Sequence, residues 1–305
     1  MKSIKYNPIY RKFVVWLNTH YPILVAKIRF RLMFGRKLDL RHPKDINEKI
    51  LWLSLYSDTS EWSRCADKYA VRQFVAERGC GDYLIPLYGK WDKPEDIDWD
   101  KLPDSFVLKH NNGSGSVLIV NDKSKLDKKQ AVDTLNKWMN HKSFASTSEF
   151  HYSRIKPCII AEELLDFSKD SNVSSSAIDY KIWCFNGVPS YIWACKNRAV
   201  GLHTEVALFD TEWNYLPEKS IFNDHYKEQE QLVTKPFNLE KMLEVAADLS
   251  KGFPIVRVDL YNINGCVYFG EMTFTSLGGT MDFYTPEFLI EMGQSVDISK
   301  VKKIR

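Results

Sequence analysis

The alternation of apolar and polar positions is sharpest between Ile255 and Thr273, where two runs of period two flank Asn264-Gly265. Asn-Gly tolerates positive φ at both central turn positions, so this stretch predicts a β-hairpin. A second stretch of the same kind, DYKIWCFNGVPSYIWACKNR, turns about Asn186-Gly187. Helical spacing governs other segments. DINEKILWLSLY opens with Asp45 three residues before Glu48, a capping-box start. CADKYAVRQFVAER is read as one helix stopping at Gly79, and KKQAVDTLNKWM as another. LEKMLEVAADLS is expected to be capped by Asn238 and closed by Gly252. SFVLK and VLIV predict strands either side of a glycine-containing turn, and CIIAEELL begins as a buried strand. Helices and antiparallel strands mix without a regular βαβ alternation, so the expected class is α+β rather than a doubly wound sheet.

Composition narrows the picture in two ways. A hydrophobic fraction of 44% with 13% aromatic residues is that of a soluble globular chain, and 305 residues are enough for two lobes. The six cysteines are scattered, with no C-x-x-C pair and mostly within apolar runs. They predict reduced, buried thiols in a cytoplasmic protein, neither a disulfide framework nor a zinc site. Neither a secretory leader nor a membrane-spanning run is expected.

Charge is distributed unevenly. Residues 1–42 hold ten Lys and Arg against Asp39 alone, a net of +9, so with +3 overall the remaining 263 residues carry −6. Large apolar residues such as Phe13, Trp16, Leu24 and Phe34 interleave with these cations. Such a segment either packs as a helical pair on the body or lies peripherally on the inner face of a membrane. No nucleic-acid module is present, and nucleic acid is not an expected partner.

Four places carry candidate chemistry. Asp259 and Glu271, on neighbouring strands of the second hairpin, would bring two carboxylates to a common point, the donor type that a hard divalent cation wants. The alternative is a hairpin whose acids face solvent. Lys109 precedes the small-residue loop Gly113, Ser114, Gly115, Ser116, whose backbone N–H groups could converge on an anion, or simply turn the chain. Glu162, Glu163, Leu164 and Leu165 follow a buried strand, where backbone and carboxylate could meet an adenine edge, or where the strand simply surfaces and turns. Lys181, with Lys196 and Arg198 on the next strand, could neutralise a phosphoryl group, or these could be ordinary exposed strand cations, Lys196 more so than Lys181. Arg257 shares a face with Asp259, either to stabilise an anionic intermediate or as a structural ion pair.

Taken in order, these segments resemble the ATP-grasp superfamily, and more closely its TupA-like branch, named after a protein of teichuronopeptide biosynthesis. The likeness runs from about residue 40 to the C-terminus. INEKILWL, ADKYAVR, LPDSFVLKHNNGSGS, EELL, DYKIWCFNG, RVDLY and YFGEMTF carry it. Each motif is weak alone, and the seven in this order are specific.

The resemblance implies two α+β subdomains clamping ATP, with Mg2+ on its phosphates. The expected division is a basic, aromatic N-terminal helical region (1–60), a subdomain with the phosphate loop (61–160) and a subdomain with the adenine and magnesium sites (161–305). Carried onto this chain, Lys68 and Lys109 touch phosphates beneath Gly113–Ser116, and Glu162–Leu165 hold the adenine. Lys181 reaches the terminal phosphates, while Asp259 and Glu271 bind magnesium. Most ATP-grasp enzymes have Asn two residues after the metal-binding Glu, whereas this chain has Thr273, leaving a second metal position open.

The implied activity is ATP-dependent carboxylate–amine ligation through an acyl phosphate, with Arg257 and Lys181 as the catalytic cations. The family's context suggests joining an amino acid to a uronic-acid sugar in surface polysaccharide, capsule-type, biosynthesis. A sugar or small-molecule kinase, a metal-dependent glycosyltransferase and a catalytically silent binding module are the rival readings.

Overall fold

The structure of the protein is a computed structural model, which describes residues 8–113, 115–140, 147, 149–167, 174–198 and 203–304. Ser114 therefore lies outside the described residues. Two sheets dominate. The first contains β1 (Leu87–Trp91), β2 (Phe106–His110), β3 (Val117–Val120) and β4 (Ile159–Glu162) in the order β1-β4-β2-β3. The second contains β5 (Asp179–Phe185), β6 (Val188–Lys196), β7 (Thr204–Asp210), β8 (Tyr226–Glu228), β9 (Ile255–Ile263) and β10 (Cys266–Thr273), in the order β10-β9-β5-β6-β7-β8. All pairings are antiparallel except that of β7 with β8. The α+β class expected from the pattern is the class observed.

Both Asn-Gly turns form. Asn186 and Gly187 have φ of 50° and 83°, and Asn264 and Gly265 have 53° and 80°. Positive φ at both positions is what a right-twisted hairpin with a two-residue loop requires.

The chain opens with α1 (Pro8–His20) and α2 (Pro22–Phe34), which turns at Gly35 in the left-handed region (φ 69°). Then come α3 (Ile46–Tyr56), α4 (Ser60–Ala66) and α5 (Val71–Glu77). Ile50 and Leu53 of α3, Trp62 of α4 and Phe74 of α5 share the large core of the six-stranded sheet. That core is closed from the same chain's other end by α7 (Leu239–Ser250), through Met242, Val245 and Leu249, and by α8 (Pro286–Gln294), through Phe288 and Met292. The four-stranded sheet has a smaller core, in which Phe106, Leu108 and Ile159 pack on Leu135 of α6 (Lys128–Met139). Five cysteines are buried, Cys266 is exposed, and all six are free thiols.

Three local expectations are corrected. Asp45 does cap α3, accepting the Glu48 N–H at 2.9 Å, but Glu48 does not return the bond to it. Its carboxylate accepts the Lys44 N–H (2.8 Å) and an Arg36 guanidinium N–H (2.6 Å) instead. Asn238 does not cap α7 with its side chain, because that amide is spent on the hairpin, its oxygen accepting from the Asn262 amide and its nitrogen donating to the Gly265 carbonyl at 2.8 Å. The helix read through CADKYAVRQFVAER is two helices. Between them the Asp67 carboxylate accepts the N–H groups of Tyr69 (2.8 Å) and Ala70 (3.2 Å), and the Lys68 N–H leaves to the Asn111 carbonyl at 3.0 Å. Asn111 returns a side-chain bond to Asp67 at 2.9 Å. A turn that satisfies its donors locally competes with helix continuation, and this one presents Lys68 to the end of β2.

Candidate active site

The two sheets approach each other along a cleft lined by Lys68, Arg72, Leu84, Lys109, Glu162, Phe269 and Gly270. On its far wall stands the second hairpin, whose register decides the site. Counting back from the turn, regular pairing would put Asp259 opposite Gly270 and Glu271 opposite Val258. Strand side chains alternate faces, so Glu271 would then point into the core beside Val258, which is fully buried. Instead the ladder slips between Phe269 and Glu271, so that Glu271 pairs with Asp259 and Thr273 with Arg257. Gly270 is the extra residue of this β-bulge. It has to be small, because a Cβ there would lie 2.9 Å from the Asp259 carbonyl oxygen and 3.2 Å from the Tyr261 ring.

The next strand continues the row, with Lys181 of β5 opposite Asp259 and Trp183 opposite Arg257. Arg257 grips Asp259 in a fork, Nε to Oδ1 and Nη2 to Oδ2, both at 2.7 Å. It also donates to the hydroxyls of Ser276 and Thr273, each at 3.1 Å, and lies 3.6 Å from Glu271. Lys181 bonds Asp259 and, at 2.5 Å, Asp179, which takes a further bond from Arg198 at 3.0 Å. The second Asp179 oxygen is buried and has no hydrogen-bond partner among the described residues.

The two hairpin carboxylates differ sharply. Asp259 is 2% exposed, so the reading in which both acids face solvent fails for it. Burial pushes its carboxyl up, and Arg257 and Lys181 oppose that shift. For Lys181, burial is outweighed by Asp179 and Asp259, and its ammonium sits above its ordinary value. The forked geometry makes the ionised pair the state of this site. The Glu271 side chain is 38% exposed, and its contacts are long: 3.3 Å from the Thr273 hydroxyl, 3.6 Å from Arg257 and 3.9 Å from Lys68. Burial works against its charge, yet Lys68, Lys181, Arg257 and Arg198 outweigh it and hold the carboxyl at about 2. Glu271 is thus an ionised carboxylate with lone pairs to spare.

On the near wall, Lys109 donates to Glu162 at 2.6 Å, and Arg72 donates to the other Glu162 oxygen at 3.1 Å and to the Ile85 carbonyl at 2.8 Å. Glu162 ends β4 and is buried; Glu163 follows with its N–H on the Pro86 carbonyl at 3.0 Å, and Leu164 and Leu165 are half-buried. Lys68 joins the walls, donating to the Gly113 carbonyl at 2.8 Å on one side and facing Glu271 on the other. Burial, assisted by Lys109, holds its ammonium below the usual value against the pull of Glu271. The loop over this point turns through Gly113 (φ 107°) and Gly115 (φ 77°), then closes with the His110 N–H on the Ser116 carbonyl at 3.1 Å.

Lys68, Lys109 and Glu162 line the cleft; Lys68 connects it to Gly113 of the loop and to Glu271, and behind Glu271 lie Thr273, Arg257, Asp259 and Lys181 in one bonded row. Lys196 is not among them. It lies on the face of β6 opposite the one carrying Cys195, and it bonds the Gln231 carbonyl at 2.5 Å and Glu205 at 3.4 Å. Sequence reasoning assigned no role to Arg72, Ser276 or Gly270. Arg72 lies inside ADKYAVR, so its motif was seen, but only the fold aims it at Glu162.

A hard cation fits this donor set. Glu271 offers open oxygen lone pairs and Thr273 a hydroxyl beside it; Asp259 carries a carboxylate on the same face, but both its oxygens are held by Arg257 and Lys181, so it can ligate a cation only when one of those partners gives way. Among the described residues no group of three or more His, Cys, Asp or Glu is gathered for a metal. Magnesium takes one or two carboxylates when phosphates and water complete its shell, and Glu271 is the open one here. Counting the charged groups, Lys68, Arg72, Lys109, Lys181, Arg198 and Arg257 stand against Asp179, Glu162, Asp259 and Glu271. Two positive charges remain, as a polyanion would want.

A family model for TupA-like ATP-grasp proteins matches residues 48–297. The chain belongs to the TupA-like ATP-grasp family. It is accordingly an ATP-dependent ligase of the kind that forms carbon–nitrogen bonds, and the α+β ATP-grasp fold is its fold. No curated protein sequence matches it. Solved structures that it resembles include the D-alanine–D-alanine ligase of Bacillus anthracis, at 16% identity, covering 79% of this chain and 68% of that one with a TM-score of 0.47. The D-alanine–D-alanine ligase of Helicobacter pylori follows at 14%, 83%, 70% and 0.44. A D-cycloserine synthetase gives 13%, 78%, 71% and 0.44. Likeness at this level says nothing of substrate.

Proposed function

We propose that the protein joins a carboxylate to an amine through an acyl phosphate, using the cleft between the two sheets. Lys68 and Lys109, beneath the loop Gly113–Ser116, hold the ATP phosphates, and Glu162–Leu165 hold the adenine. Glu271 and Thr273 would carry magnesium, joined by Asp259 once Arg257 or Lys181 yields one of its oxygens, and the ion when bound offsets phosphate charge. A substrate carboxylate oxygen attacks the terminal phosphorus and ADP leaves. The amine nitrogen then attacks the acyl carbon, phosphate departs, and the nitrogen loses its proton. Arg257 and Lys181 stand where negative charge accumulates in both steps, and their fixed partners pre-orient them. No covalent nucleophile is needed, since positioning and charge neutralisation suffice.

The observation that supports this reading best is the row Lys181–Asp259–Glu271 across three strands, with Lys68 bridging from Glu271 to the phosphate-type loop. For substrates we propose an amino acid joined to a uronic-acid sugar of a capsule-type surface polymer, the pairing that the resemblance to the TupA-like branch implies. The test is incubation with ATP, Mg2+, uronic-acid sugars and amino acids. ADP, free phosphate and a condensed amide in equal amounts are expected. AMP with pyrophosphate would contradict the reading, phosphate retained on the acceptor would mark a kinase, and preference for nucleotide sugars over ATP would mark a glycosyltransferase.

A further inference from the structure

We propose that the outer face of the α1–α2 pair docks on an anionic lipid bilayer. The inner face of α2 is accounted for, with Ala26 and Phe30 packed against Leu51 and Leu55. The outer face is not. Leu24, Ile28 and Leu32, four residues apart, are 48%, 46% and 81% exposed and form one row along the helix. Lys27 and Arg31, also four apart and exposed, form a second row beside it. From α1, Phe13 and Trp16 extend the surface, with Tyr21 at the bend. The Trp16 ring is centred 6.2 Å from Phe13 and 6.0 Å from Tyr21. A shallow concavity lined by Tyr21, Leu24 and Lys27 joins this aromatic group to the row on α2. Neither helix contains an Asp or Glu.

The chemistry selects the occupant. A protein-binding core is depleted of lysine and acid-free cationic rows are not its signature, whereas here Lys27 flanks the apolar row and Arg31 follows one turn on. Exposed aliphatic side chains contribute nothing to gripping a nucleic-acid backbone. A bilayer interface takes both: acyl chains receive Leu24, Ile28 and Leu32, the aromatic rings sit at headgroup level, and anionic headgroups meet the cations. Each helix has 13 residues, too few to span, so the pair lies in the interface plane. Among the described residues no helix is long and apolar enough to cross a membrane.

The docked face is also tied to the cleft. Asn18 of α1 donates to the Thr147 carbonyl at 2.7 Å, and the Thr147 hydroxyl donates to Glu149 at 2.7 Å. Thr275, beside the Ser276 that bonds Arg257, donates to the other Glu149 oxygen at 2.7 Å. Seating the two helices on a membrane would hold the cleft at a fixed height above it.

The test uses the full chain with phosphatidylcholine vesicles, with and without phosphatidylglycerol, at low and high salt. Co-sedimentation is expected with the anionic vesicles, reduced by salt and at least about tenfold weaker with neutral ones. The triple change Leu24→Ser, Ile28→Ser and Leu32→Ser should lower partitioning at least about tenfold. Lys27→Glu with Arg31→Glu should erase the preference for anionic lipid. Both variants, altered only at exposed positions, should keep the parent's thermal unfolding and vesicle-free ATP turnover. Failure to sediment, equal binding to both vesicle types, or a dimer that the serine variant dissolves without change in vesicle binding would overturn the proposal. The sedimentation and unfolding readouts do not depend on the ligase reading, so the proposal can fail or hold without it.

Discussion

The six-stranded sheet contains two hairpins built on the same Asn-Gly turn, and they have diverged in what a single extra residue accomplishes. In the β5–β6 hairpin the bulge falls at Ser190, close to the turn, and brings Trp193 opposite Lys181, where its ring packs against Phe283 and Tyr284. In the β9–β10 hairpin it falls at Gly270, farther from the turn, and brings Glu271 opposite Asp259. One bulge places an aromatic wall and the other a carboxylate. The turn sets the starting register in both, and the bulge decides which side chains share the working face.

The contrast can be broken first at the β9–β10 row. Asp259→Asn leaves the buried Arg257 and Lys181 charges without their shared partner, a change that costs about 3 kcal/mol in urea unfolding and abolishes ATP-dependent phosphate release. A variant as stable and as active as the parent would show the row to be dispensable. Glu271→Gln separates function from stability. Its contacts are long and its side chain is partly in water, so unfolding should shift by less than in Asp259→Asn, while turnover falls about 10²–10³-fold.

Gly270→Ala presses a methyl group onto the Asp259 carbonyl and should cost about 1–3 kcal/mol, together with much of the activity as Glu271 is displaced. Ser190→Ala, at the other bulge, should stay within about 0.5 kcal/mol. Equal effects at the two bulges would remove the distinction. The smallest effect is on acid stability. Glu271 has a folded pKa of about 2 against an ordinary 4.5, so the stability it contributes is complete above about pH 4.5 and is lost as pH falls through 2. Unfolding midpoints of the parent and Glu271→Gln measured across that window should converge toward the acid end.

Much of the fold was legible because local chemistry agreed with the final structure. Both Asn-Gly turns, the Asp45 cap, the Gly79 stop and α6 follow from residue types within one or two turns of chain. β1 was not legible: Leu87–Trp91 carries a glycine and no clean alternation, and it becomes a strand by pairing with β4. α8 announces itself with Thr285 before Pro286, an N-cap and first-turn signal that sequence reasoning passed over. At the site, Asp259 and Glu271 were found as residue types, but the regular register would have separated them. The same hairpin count that predicts the turn predicts the wrong face for Glu271.

By itself the sequence determined the elements, their turns, the α+β class, the family and the inventory of charged side chains, since each depends on neighbours along the chain or on motif order. Tertiary structure alone decided that Asp259 is sealed under Arg257 and Lys181 while Glu271 stays open, that Lys68 reaches from one sheet to the other, and that Lys196 faces away. These outcomes depend on register and on packing between residues up to about two hundred positions apart. No local propensity encodes them.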